Sequence, residues 1–158
     1  MRNSFVLLVA LSVGPASGLA VGQTPAASSP ERQEILAYQL TLPRANHLIT
    51  AMQAMTRYLV SQPDFQDRVV KAMKMTPTEL RAQVEKDPKA MAILKENGLT
   101  AQEYLVGVPT LRMALMAAQG ATGSPGVMAS PANVAFAKAN LAQLKPKMDA
   151  ADGLVRPK

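Results

Sequence analysis

The chain has 158 residues, 17 basic and 11 acidic side chains, a net charge of +6 and no cysteine. The missing thiol excludes disulfides, thiolate nucleophiles, zinc–thiolate sites and haem attached through Cys-x-x-Cys-His. The basic residues are scattered and do not alternate with the aromatics, which make up 4% of the chain, so no nucleic-acid partner is expected.

The N-terminus reads as an export signal. Arg2 is followed by the apolar run Phe5-Val6-Leu7-Leu8-Val9-Ala10-Leu11-Ser12-Val13, and then by Gly14-Pro15 and small residues. A basic start, an apolar stretch of about 7–15 residues and a small-residue cleavage site define a secretory signal. The run is shorter than the roughly 20 apolar residues a membrane span needs. Residues 1–20 are therefore expected to be removed, after Ala20 or alternatively after Gly18. That makes the protein periplasmic or secreted, with no transmembrane segment after cleavage. Residues 21–29 read as a flexible linker, because Gln23-Thr24-Pro25-Ala26-Ala27-Ser28-Ser29 offers almost nothing to bury.

A single helical domain is expected over residues 30–152, with a tail at 153–158. Ser29-Pro30, Gln62-Pro63, Thr76-Pro77, Asp87-Pro88 and Ser130-Pro131 each precede a helical pattern. Proline suits the first turn, where its missing N–H has no partner anyway. Thr76-Pro77-Thr78-Glu79 and Thr100-Ala101-Gln102-Glu103 match the capping box, and Asn97-Gly98 closes the helix before the second box. About six helices follow: 31–60, with a bend or restart at Pro43, then 63–73, 77–86, 88–96, 101–119 and 131–150. Pro109 and Pro146 should kink the last two. No stretch alternates with period two, so no strands are expected.

At 100° per residue, Leu42, Ala45, Leu48, Ile49, Met52, Met55 and Leu59 share one side of the first helix, and Val134, Ala137, Leu141, Leu144 and Met148 one side of the last. Residues 104–118 are apolar nearly all round, which places that helix in the middle. The predicted fold is all-α, a compact bundle around the helix at about 101–119. Phe136 lies about 130° from the apolar side of the last helix, near Asn133 and Asn140. Either a second face is buried there, with both asparagines hydrogen-bonded, or Phe136 is exposed for a partner.

The chemistry-bearing residues give no catalytic, metal or cofactor site. His47, the single histidine, points about 140° from Met52 and about 80° from Met55, away from the apolar side. The methionines read as adaptable core filler. Ser28, Ser29, Ser61, Ser124 and Ser130 sit at helix ends or in linkers, and none stands in a Gly-x-Ser-x-Gly elbow. Asp64, Asp67, Glu79, Glu85, Asp87, Glu96 and Glu103 could supply an acid and a base, although first-turn acids are also what a helix dipole favours.

Tyr38-Gln39-Leu40-Thr41, Asn97-Gly98-Leu99-Thr100-Ala101-Gln102-Glu103-Tyr104 and Asn133-Val134-Ala135-Phe136-Ala137-Lys138-Ala139-Asn140 resemble segments of a group of small exported bacterial helical proteins. That group carries no assigned activity, so the resemblance implies export and a helical fold only. A fainter likeness is to small periplasmic helical chaperones with Leu-Thr-x-x-Gln segments. Leu99-Thr100-Ala101-Gln102-Glu103 departs from that pattern, with Glu103 where glutamine is expected. The sequence thus predicts a non-enzymatic binding or structural protein of the cell envelope. Its partner would be an envelope protein or an anionic surface. An ATP-independent chaperone and a carboxylate enzyme are the alternatives.

Overall fold

A computed structural model describes residues 30–120 and 129–154. The expected export signal, the linker, Ser124 and Met128 lie outside them. Among the described residues there are seven helices and no strands: α1 (Pro30–Ala37), α2 (Leu42–Val60), α3 (Phe65–Ala72), α4 (Pro77–Lys86), α5 (Pro88–Glu96), α6 (Ala101–Ala118) and α7 (Pro131–Gly153). No described helix is long and apolar enough to cross a membrane.

The helix ends follow from their residues. The hydroxyls of Thr41, Thr76, Thr100 and Ser130 accept hydrogen bonds from first-turn amides, and Asp87 accepts from the amides of Lys89 and Ala90. Both expected capping boxes are present, with Glu79 and Glu103 reaching back to the cap amides. After α5, Gly98 adopts φ 65°, which glycine tolerates without a Cβ clash. The amides of Gly98 and Leu99 then donate to the carbonyls of Lys95 and Leu94, closing a Schellman motif.

Three expected boundaries change. The helix expected over 31–60, with its bend or restart at Pro43, is two helices: Tyr38–Leu40 belongs to neither, and Thr41 caps α2 afresh with Pro43 in its first turn. The second helix expected from Pro63 begins at Phe65. Asp64 makes no side-chain cap there and binds Arg68 instead. The last helix outruns residue 150, reaching Gly153. α6 and α7 run on through Pro109 and Pro146.

The core gathers Leu48 of α2, Leu94 of α5, Leu111 of α6 and Leu144 of α7, each 0% exposed. Burying one leucine side chain stabilises by about 1.5–3 kcal/mol. α6 packs against α1, α2, α4, α5 and α7, most broadly against α7. Its buried residues Gly107, Thr110, Leu111, Ala114 and Leu115 recur at helical spacing, while Met116 at its far end is exposed. Gly107 lets α2 and the Tyr38 side chain approach α6 closely. A Cβ there would lie 2.8 Å from both methyls of Leu48 and 3.0 Å from the Tyr38 hydroxyl. α3 is the exception to this packing, with no broad contact to any other helix.

Candidate functional site

The segments around Tyr38–Thr41, Thr100–Tyr104 and Asn133 meet in space. Asn133, 2% exposed on α7, holds the backbone between α1 and α2 with both ends of its carboxamide. The Leu40 amide donates to Asn133 Oδ1 at 3.0 Å, and Asn133 Nδ2 donates to the Tyr38 carbonyl at 2.7 Å. Thr41 then caps α2. From the first turn of α2, Arg44 pairs with Glu103 of α6, and its guanidinium sits over the Tyr38 ring at 6.0 Å. Hydrogen bonds from Thr100, chiefly its backbone amide, hold the Glu103 carboxyl below its ordinary value; burial opposes them, and the pairing with Arg44 adds to the lowering.

Beside this junction an open groove of about 330 Å³ is lined by Glu34, Ala37, Tyr38, Gln102, Glu103 and Val106. Two of its polar side chains, Glu34 and Gln102, are engaged with each other. Gln102 Nε2 donates to Glu34 at 3.0 Å, and Arg81 donates to Gln102 Oε1 at 2.7 Å. The Tyr38 hydroxyl lies buried without a hydrogen-bond partner, and burial raises its pKa. Burial likewise pushes Tyr104 up to about 12, against a smaller opposing effect of Arg112. A second open groove, about 660 Å³, runs between α4, α5 and the start of α6, past Glu85, Met91, Lys95 and Leu99.

Of the candidate carboxylates, Asp64 and Asp87 meet on the guanidinium of Arg68, which pairs with both, and the others serve separately. Glu79, Asp87 and Glu103 are helix caps. Asp64 and Glu85 are in i,i+4 pairs with Arg68 and Arg81, and Asp67 and Glu96 are exposed. Asp87 has further partners. The Tyr58 hydroxyl donates to it at 2.8 Å and Arg68 stands 3.7 Å away, so it ties α2 and α3 to the start of α5. Burial alone would raise its pKa, but hydrogen bonds from Ala90, Tyr58 and Lys89 outweigh it and bring it below the ordinary value. Among the described residues no three His, Asp or Glu side chains gather as a metal-holding group.

The remaining candidates resolve individually. His47 is exposed. Ser61 donates to the Tyr58 carbonyl at the end of α2, and Ser130 caps α7. Phe136 is partly buried against the core, so the second face of α7 is covered. Asn140 donates to the Phe136 carbonyl at 2.8 Å within its own helix. Met52, Met55 and Met148 are core residues, 5–6% exposed, but Met73 and Met116 are 61% and 50% exposed.

Sequence reading missed a patch on α3. Val70 is 52% exposed and Met73, just past the helix, 61%. Phe65, Val69 and Ala72 turn inward only part-way. Lys71 and Lys74, which follow Val70 and Met73 in sequence, are exposed, with Asp67 as the exposed acid of the same helix. A signal was available. At 100° per residue Phe65, Val69, Ala72 and Met73 fall on one side with Val70 at its flank, although α3 is too short to bury that side by itself.

Comparison with protein-family models, curated proteins and solved structures finds no match to this chain.

Proposed function

We propose that this is a non-enzymatic protein of the cell envelope that works by binding another envelope protein through the exposed apolar edge of α3. The carrying observation is the pairing of exposure and isolation there. Val70 and Met73 are more than half exposed, on and just past a helix without broad contact to any other helix. The exposed Lys71 and Lys74, in a chain of net charge +6, favour a partner whose apolar patch is rimmed by acids. The acids serve as caps, ion partners or exposed side chains, which favours binding over carboxylate catalysis.

Residues 1–20 are the export signal in this reading, and sequencing the N-terminus of the protein from its host should begin at Val21, or at Leu19 for the alternative cleavage. The binding test is a pull-down from the envelope fraction with the exported chain and with the double variant Val70→Gln/Met73→Gln. A stoichiometric partner protein that the variant loses supports the proposal. A broad mixture of unfolded clients points to the chaperone instead. Equal capture by both chains, or adsorption to lipid vesicles alone, contradicts it.

A further inference from the structure

With no cysteine in the chain, methionine is its only sulfur side chain. The described methionines fall into distinct classes of access. Met73 and Met116 are 61% and 50% exposed, whereas Met52, Met55 and Met148 are 5–6% exposed inside the core. Met75, Met91 and Met113 lie between them. Met52 has a second protection, because Arg112 Nη2 donates to its sulfur at 3.4 Å and occupies an electron pair that oxidation would use. Arg112 is held there by its ion pair with Asp152 at the end of α7.

We propose that Met73 and Met116 are surface oxidation sites, and that their oxidation turns apolar surface polar without disturbing the core. The reactant is a hydroperoxide. The thioether sulfur attacks its terminal oxygen, an S–O bond forms and the O–O bond breaks. The sulfur loses two electrons, and the peroxide leaves as water or an alcohol after taking up a proton. The sulfoxide is polar, and reductases can restore the thioether. Neither side chain belongs to the buried cluster, so the helical fold persists. At Met73 the sulfoxide would remove part of the α3 edge. That consequence for binding rests on the function proposed above, but the sites of oxidation do not.

The test treats the full chain with hydrogen peroxide and maps sulfoxides by peptide mass spectrometry over time. Met73 and Met116 should oxidise about tenfold faster than Met52, Met55 and Met148, in line with exposures of 61% and 50% against 5–6%. Circular dichroism should be unchanged when only the surface pair has reacted. Met73→Leu and Met116→Leu should each remove one early sulfoxide and leave the core rates as they were. Oxidation of the core three as fast as Met73, or helix loss on oxidation of the surface pair, overturns the proposal. If the sites oxidise as stated but partner capture is unaffected, the oxidation proposal stands and the α3 binding reading fails.

Discussion

The amide of Leu40 donates to Asn133 Oδ1 at 3.0 Å, joining residues 93 apart in sequence. With the second bond, from Asn133 Nδ2 to Tyr38, it stands in for a helix ladder at the one place between α1 and α2 where the backbone leaves the helix.

Asn133→Ala should therefore be costly. It strands a buried donor and a part-buried acceptor, each worth about 1–3 kcal/mol when left unmade, so about 3 kcal/mol of stability is lost. Asn140→Ala, whose bond stays within α7, should cost under about 1 kcal/mol. Urea unfolding of both variants checks this, and equal losses would contradict the clamp.

Gly107→Ala should destabilise despite alanine's better helix propensity. Propensity gains about 1 kcal/mol, and forcing a methyl against a buried side chain costs about 1–3. The new Cβ meets both Leu48 methyls at 2.8 Å, and Leu48 is 0% exposed, so it has nowhere to yield. In a Leu48→Ala background the same substitution should turn neutral or stabilising. A double-mutant cycle reads the sign, and an unchanged effect would mean that the crowding lies elsewhere.

Stability should fall in acid. The carboxyls of Glu79, Asp87 and Glu103 sit below their ordinary values in the folded chain. A lowered folded pKa contributes stability above the unfolded pKa of about 4, and that contribution is lost as pH falls through the folded value. The urea midpoint should then fall steadily below about pH 4. Glu103→Gln keeps a capping-box residue but removes one titrating group, so it should shallow this decline. It starts lower at pH 7 by under about 1 kcal/mol, as the partly exposed Arg44 pair is lost. An unaltered slope would remove Glu103 from the explanation.

Val70→Gln and Met73→Gln should change stability by less than about 0.5 kcal/mol, as exposed substitutions do. Thermal melts check this. A loss above about 2 kcal/mol from either would show that its side chain supports the fold.

Much of the fold is legible in the sequence because its signals are local. Thr76, Thr100 and Ser130 cap where their sequences predict, and Leu48, Met52, Leu144 and Met148 fall on the faces that helical spacing assigns them. The break at Tyr38–Leu40 is not local. Pro43 shows that something ends nearby, but the bonds that hold the break come from Asn133, far along the chain. Asn133 and Asn140 stand out in the sequence as a pair at equal helical register, and only tertiary packing separates the long-range clamp from the intrahelical bond. The α3 patch escaped for a similar reason. Whether Val70 and Met73 are covered depends on which helix lies over them, and spacing within one short helix carries no such information.

The most direct test of binding through α3 is site-specific photo-cross-linking in the native envelope. A photoreactive residue is placed at Val70, with exposed His47 on α2 as the control position. The account predicts one discrete partner adduct from position 70 and none from position 47. Adducts of equal yield from both positions, or from position 47 alone, would contradict it.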